Sequence, residues 1–239
     1  MVEVAIALAV AGLMSWAAFS GYATVSEQQE IERGRADAAQ LQSILRAFVL
    51  RNGRLPCPAT LPNGYEALSG GTCASGIQLG WFPYVSVGLE LPTDRLGARY
   101  SVFREPNLVS PAQDADLALE LERTGDSLGE PTHRDITDLI VALNNASTKA
   151  VSSTRTHLTG DGGAAGVIDC AANRVMVAAY WVVVPLQDKD GDGDRLDAPH
   201  ALTSLCATSP SAPLRFTSDD VVIAESPAQL AGWLRKSLP

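Results

Sequence analysis

The residues best suited to do chemistry lie in one acidic stretch near the C-terminal end. Positions 187–197 read QDKDGDGDRLD, and the ten residues 188–197 include five aspartates. Carboxylates this close repel one another unless a cation is bound, and the glycines let the backbone curl so that several carboxylates converge on a hard ion. The predicted ligands are Asp188, Asp190, Asp192, Asp194 and Asp197.

The stretch begins like an EF-hand loop. Asp188, Asp190, Asp192 and Gly193 occupy loop positions one, three, five and six, but position twelve is Pro199, where an EF-hand has a bidentate glutamate. We therefore predict an EF-hand-like calcium loop without flanking helices. Calcium is favoured over magnesium because the ligands are many and flexible. The alternative is a solvated acidic turn, since blocks of like charge are usually solvated.

The four cysteines form no CxxC pair, which disfavours thiolate metal sites and thioredoxin-type chemistry and favours two disulfides outside the cytosol. Cys57 and Cys73 enclose a glycine-rich loop, and a disulfide there would stabilise the fold by roughly 3 kcal/mol. Cys170 and Cys206 flank an apolar segment and the acidic loop, so a bridge would tie the two ends of the ion site together. The alternative for this second pair is two buried free thiols.

Enzyme and nucleic-acid functions are disfavoured. His133, His157 and His200 lie in no HExxH motif and beside no GxSxG elbow, and the chain has no phosphate-binding GxxxxGK[ST] loop. Adjacent acids such as Asp219 and Asp220 are usually a solvated surface. The net charge of −9, with 18 basic and 27 acidic residues, makes a phosphate-tracking surface improbable. We expect no enzyme and no nucleic-acid partner.

The N-terminal segment is a long uncharged run that precedes the rest of the chain. Residues 4–25 contain no charge, and 22 residues at ~1.5 Å rise give roughly 33 Å of helix, enough to cross a bilayer. We predict one retained membrane span. A cleaved signal peptide is the alternative, but no basic residue precedes the apolar run and the run is too long for one.

The helix is expected to continue into water. Positions 26–51 contain no proline, and apolar residues recur at helical spacing at Ile31, Ala38, Leu41, Leu45 and Phe48. Asn52-Gly53 is a stop signal. We predict one helix over 3–51, about 74 Å long. Two helices joined at Gly21-Tyr22 or at Gly34 are the alternative.

Glu3 has two possible roles. At the helix N-terminus it could be solvated and favoured by the helix dipole. In a bundle of staggered helices it could instead meet the N-terminal amine of a neighbouring copy, which neutralises both charges in an apolar setting.

Residues 2–22, VEVAIALAVAGLMSWAAFSGY, resemble the N-terminal methylation segment of type IV pilins and type II secretion pseudopilins. In that family an acidic residue, matched here by Glu3, precedes a long apolar helix. Prepilin peptidase cuts a basic leader after glycine, the new N-terminus is methylated, and the acidic residue stands fifth. Here it stands third, so we expect this chain to be truncated or to start late relative to the processed form.

Three later segments strengthen this resemblance. GRLPCPA (53–59), GWFPYVSVGL (80–89) and PTDRLGARYSVF (92–103) occur in an order similar to pseudopilin-like proteins. The resemblance covers about the first 103 residues. It implies a structural subunit of a type IV pilus-like or type II secretion pseudopilus filament, and the 214 residues after Val25 favour a minor or tip subunit. Other pilin or pseudopilin subunits, the inner membrane, prepilin peptidase and the assembly machinery are the implied partners.

The resemblance also implies a single-pass inner-membrane protein with a periplasmic head, and major pseudopilins carry a calcium site in their C-terminal region. A single-span, membrane-anchored periplasmic binding protein or hydrolase is the alternative.

The expected fold class is α+β, with the long helix packed on a globular head that contains a mainly antiparallel sheet. We divide the chain into 1–25 (membrane and assembly half), 26–52 (amphipathic half) and 53–239 (head). Within the head, the patterns predict helices over 112–123 and 135–145, strands over 174–186 and 221–224, and a last helix that a capping box starts at Ser226.

Overall fold

The structure is a computed structural model. It describes residues 2–93, 97–125, 134–160, 168–171, 173–201, 203–213, 215 and 217–237, without the side chains of residues 2–9, 17–20, 23 and 24. The helices are α1 (Val2–Asn52), a short 3-10 helix (Pro111–Gln113), α2 (Ile136–Ser147) and α3 (Pro227–Ser237). The strands are β1 (Leu68–Ser69), β2 (Thr72–Cys73), β3 (Leu79–Trp81), β4 (Arg99–Val102), β5 (His157–Thr159), β6 (Arg174–Val177), β7 (Tyr180–Val184), β8 (Cys206–Thr208) and β9 (Val221–Glu225).

The second half of α1 is part of the core of the head. Its apolar stripe is buried at Ala38, Leu41, Leu45 and Phe48, and Ile31 packs against the same core. The helix ends at Gly53, whose φ of 61° is accessible to glycine and whose N–H donates to the carbonyl of Val49. Every buried residue of α1 among those described lies within 25–52, a 28-residue segment.

The predicted fold class is wrong in its membrane-spanning half. Within the described part of the chain, no helix is both long enough and apolar enough to cross a bilayer. The predicted single-pass inner-membrane localisation is wrong for the same reason. The prediction rested on the length of the run over 4–25 and on its lack of charge, and these two properties do not by themselves make a helix apolar enough to cross a bilayer.

Strand β7 forms the centre of the head. The main sheet is antiparallel with the order β3-β4-β7-β9, and α1 contacts β7 and β9. Because side chains alternate along a strand, Tyr180, Val182 and Val184 join the core that includes α1, α2 and α3. Trp181 and Val183 face a second core with residues of the other sheet. That sheet has the order β6-β5-β8, in which β5 pairs with β6 antiparallel and with β8 parallel.

Two predicted elements differ from the structure. The apolar segment 174–186 is two strands, β6 and β7, which belong to different sheets, and Ala178 and Ala179 lie between them. The predicted helix over 112–123 is wrong beyond the 3-10 turn. Its carboxylates bind buried arginines and nearby backbone N–H groups instead, and such bonds compete with a helix.

The capping box predicted at Ser226 is confirmed, and the structure shows a second one at the start of α2. Asp135 caps α2 by accepting from the N–H of Thr137, and Asp138 accepts from the N–H of Asp135. At α3, the Ser226 hydroxyl accepts from the N–H of Gln229, and the Gln229 side chain accepts from the N–H of Ser226. These reciprocal bonds satisfy N–H groups that a helix start leaves unpaired.

Candidate functional site

The acidic loop leaves β7 and begins with three exposed aspartates. One carboxylate oxygen from each of Asp188, Asp190 and Asp192 lies within 4.8 Å of the others. Asp188 accepts from the N–H groups of Gly191 (2.7 Å) and Gly193 (3.1 Å). Both glycines have positive φ, 78° and 97°, which glycine adopts readily. The glycines therefore allow the curl that the spacing predicts.

The other two predicted ligands lie elsewhere. Asp194 accepts from the N–H of Leu196 at 2.6 Å. Burial lowers the pKa of Arg99 to about 10, and the negative charge of Asp194 partly offsets this shift. Asp197 is fully buried and accepts from the N–H groups of Lys189 (2.8 Å) and Asp190 (3.3 Å). Asp197 thus binds the backbone of the acidic loop from within the head. The five predicted ligands therefore do not converge on one point.

A second acidic group is formed by Asp197, Asp219 and Asp220. One carboxylate oxygen of each lies within 4.8 Å of the others, and the three residues are 0%, 3% and 5% exposed. Asp197 accepts from the N–H of Asp219 at 2.8 Å, and its own N–H donates to Asp220 at 3.1 Å. We name these three residues the buried triad. Asp219 and Asp220, expected on a solvated surface, are therefore core residues.

The buried triad continues into His200. Its Nδ1 lies 2.7 Å from Oδ2 of Asp220, and its Nε2 lies 3.2 Å from both the backbone nitrogen and Oγ1 of Thr208. Because the Thr208 N–H donates to Nε2, neutral His200 carries its proton on Nδ1 and donates it to Asp220. Burial lowers the pKa of His200 to about 4, whereas burial and the neighbouring Asp197 and Asp219 raise the pKa of Asp220 to about 9.

This Thr–His–Asp line resembles the nucleophile, base and acid of a hydrolase. Thr208 and Asp220 also line a cavity of about 540 Å³. However, Nε2 of His200 already accepts a backbone hydrogen bond, and an imidazole with a pKa of about 4 is a weak base at neutral pH. The geometry favours a structural role, in which His200 joins the acidic loop to β8 and β9. His133 lies outside the described residues, and His157 contacts the carbonyl of Arg155 at 2.8 Å.

The acidic loop also contacts α1. Lys189 donates to Glu27 at 2.8 Å, and its Nζ lies 3.7 Å from Oδ2 of Asp219. The side-chain amide of Gln187 donates to Glu30. The loop is therefore attached to α1 near the point where the helix leaves the head.

The expected disulfides are present. Cys57 and Cys73 are bonded, with their Cα atoms 5.3 Å apart, and so are Cys170 and Cys206, at 6.0 Å. The second bridge joins β8 to the segment before β6, so it crosses the three-stranded sheet β6-β5-β8 rather than closing the ends of the acidic loop.

Residues 10–16 of α1 stand clear of the head. All seven residues from Val10 to Trp16 are exposed, and seven residues make nearly two helical turns, so every face of the helix is uncovered there. The large apolar residues of this exposed helix, with their exposed fractions, are Val10 (45%), Leu13 (67%), Met14 (69%), Trp16 (72%), Tyr22 (75%) and Val25 (52%). The side chain of Glu3 is outside those that the structure describes.

Comparison with known proteins gives no match. No family model, no curated protein and no solved structure matches this chain.

Proposed function

We propose that this chain is a minor structural subunit of a type IV pilus-like or type II secretion pseudopilus filament, and that it assembles through the first half of α1. The observation that carries the proposal is the exposed part of α1, residues 10–16 together with 21, 22 and 25, which is uncovered on every face over 10–16. The occupant of this surface is the same segment of other copies or of kindred subunits. No catalysis is part of this function.

Burial of the exposed helix would supply the driving force. Moving a large apolar side chain from water to a packed interior stabilises by about 1.5–3 kcal/mol. The six large apolar residues are roughly half to three-quarters exposed, so together they offer about 5–12 kcal/mol. Association costs about 4–15 kcal/mol in lost freedom. One pairwise contact would barely suffice, so the helix favours a bundle in which each copy has several neighbours.

The junction between helix and head suits a filament subunit. Glu225 of β9 accepts hydrogen bonds from Arg46 and Gln42 of α1. Ala38 and Leu45 of the same helix are fully buried. The helix therefore continues from the exposed segment into the core without an intervening loop. A head fixed in this way would take up a defined orientation when the helices pack, which a regular filament requires.

The test compares two exposed leucines in the full chain. Leu13, 67% exposed, lies on the exposed helix, and Leu61, 61% exposed, lies on the head. We expect the wild-type protein to form high-mass, fibrous assemblies in sedimentation velocity and negative-stain electron microscopy. Leu13→Lys should abolish them, because a charge cannot be buried unpaired in an apolar bundle. Leu61→Lys should leave them intact.

Two results would contradict the proposal. One is a wild-type chain that sediments as a monomer at every concentration tested. The other is an equal effect of both lysine substitutions, which would indicate non-specific association of apolar surface rather than packing of α1.

A further inference from the structure

We propose that the outer edge of β9 binds an extended, acidic peptide segment of a partner protein, which pairs with β9 as an additional strand. The site is the cavity of about 540 Å³ that Thr208 and Asp220 line. Its walls include residues 221–223 of β9, the segment 208–213, and Arg35 and Ala38 of α1. We name this cavity the β9 groove. The proposal concerns the head alone and does not depend on the proposed filament function.

The backbone of β9 faces the groove. β9 is the last strand of the main sheet, and no strand in the described part of the chain pairs with its outer edge. The side chains of Val221 and Val222 belong to different cores, and each residue is only 8% exposed. Because side chains of successive strand residues point to opposite faces, what these two residues both present to one cavity is the edge of the strand. Such an edge offers N–H and C=O groups to another extended chain.

The opposite wall of the groove cannot pair with a peptide in the same way. Pro210 and Pro213 have no N–H group to donate. The other N–H groups of this wall donate within the head: those of Thr208 to His200, Ser209 to Thr159, and Ser211 and Ala212 to Ser209. A bound peptide would therefore pair with β9 alone.

The size of the groove suits a short extended segment. A cavity of about 540 Å³ lies within the range of roughly 300–1,000 Å³ that is typical of ligand sites. Residues 221–223 span about 10 Å at the rise of a strand. We therefore expect the paired part of the peptide to be about three residues long.

The charges of the groove favour an acidic peptide. Arg35 and Arg215 line it, and the one acidic residue among the described lining residues is Asp220. Burial raises the pKa of Asp220 to about 9, so this carboxyl group is uncharged at neutral pH. Arg35 contacts Glu32 at 3.0 Å, but the two side chains are 58% and 72% exposed, so this pair is weak and a carboxylate in the groove can replace it.

The two kinds of contact would have different roles. Hydrogen bonds to the edge of β9 would supply affinity for any extended chain, as in other cases of strand addition. The two arginines would select carboxylates, because a guanidinium binds a carboxylate through two parallel hydrogen bonds and repels basic side chains.

The experiment measures binding of three short, fluorescein-labelled peptides to the full chain by fluorescence anisotropy. The first peptide alternates valine and glutamate. The second has the same sequence with N-methyl groups on its two central amides, which removes N–H donors from both of its edges. The third alternates valine and lysine. The variants are Arg215→Gln and Arg35→Gln, with Arg33→Gln as the matched control, because Arg33 is an exposed arginine of α1 outside the groove.

We expect the wild-type chain to bind the glutamate peptide, and to bind the N-methylated and lysine peptides roughly tenfold more weakly or less. Arg215→Gln and Arg35→Gln should each weaken binding of the glutamate peptide by roughly two- to fivefold, the range for a partly exposed ion pair. Arg33→Gln should leave it unchanged.

Three results would overturn the proposal. The first is a wild-type chain that does not bind the glutamate peptide. The second is equal binding of the N-methylated peptide, which would show that the peptide does not pair as a strand and instead contacts apolar or charged surface. The third is an equal loss of binding in Arg33→Gln and Arg215→Gln, which would indicate general attraction to basic residues rather than binding in the β9 groove.

Discussion

Replacing Glu225 with alanine should loosen α1 from the main sheet. Glu225 is 4% exposed, and its carboxylate accepts from Arg46, from Gln42 at 3.1 Å and from the hydroxyl of Tyr180 at 2.9 Å. The substitution removes all three bonds and leaves the Tyr180 hydroxyl buried without this acceptor. The substitution Glu225→Ala therefore tests whether the contact between β9 and the second half of α1 stabilises the core.

The magnitude follows from the three contacts. A hydrogen bond to a buried charged group contributes about 1.5–3 kcal/mol, which applies to Tyr180. The Arg46 side chain is 32% exposed, so its ion pair is screened and contributes about 0.5–1 kcal/mol. Gln42 adds about 0.5–1.5 kcal/mol. We expect Glu225→Ala to lower the free energy of unfolding by about 3–5 kcal/mol, a fall in melting temperature of about 6–20 °C for a domain of this size.

The assay is urea and thermal unfolding followed by circular dichroism. Glu32→Ala is the control, because its ion pair with Arg35 is exposed at both ends and should contribute at most about 0.5 kcal/mol. Glu225→Gln should lose less than Glu225→Ala, since an amide oxygen still accepts a hydrogen bond. A loss below about 1 kcal/mol for Glu225→Ala would refute the reasoning, because three bonds to one buried group cannot be worth so little.

Three further predictions concern assembly, packing and pH. Glu3→Ala should leave the fold unchanged but reduce filament formation seen by electron microscopy; undiminished filaments would remove the assembly role of Glu3. Gly80→Ala should destabilise by about 1–3 kcal/mol in urea unfolding, because a Cβ there would lie 2.2 Å from the carbonyl oxygen of Ala59. Gly232→Ala, in an open position of α3, should instead stabilise by about 0.5–1 kcal/mol. Burial and the adjacent carboxylate raise the pKa of Tyr180 well above 10.0, so its contribution is complete below pH 10 and is lost as pH rises further. Tyr180→Phe should therefore flatten the alkaline fall in stability, and an unchanged fall would contradict this.

Signals that depend on neighbouring residues were predictable from the sequence. The apolar stripe of α1 and the capping box at Ser226 act within one or two helical turns, and the structure places them as their spacing indicates. The disulfide prediction also holds, since the four cysteines could pair in few ways. The prediction of a membrane span is wrong, because a lack of charge is a weaker indicator of a membrane-spanning helix than hydropathy is.

The sequence by itself determined the end of α1 before Gly53 and the start of α3 at Ser226, because a cap or a glycine acts on hydrogen bonds only a few residues away. It also determined that acidic groups would crowd near positions 188–197. Only the tertiary structure decided which carboxylates meet, since Asp197 and Asp219 are brought together by packing of the acidic loop against β9. Burial then decided their chemistry: the same side chain is a solvated acid at Asp192 and an unsatisfied core group at Asp220, because water is present around one and absent from the other.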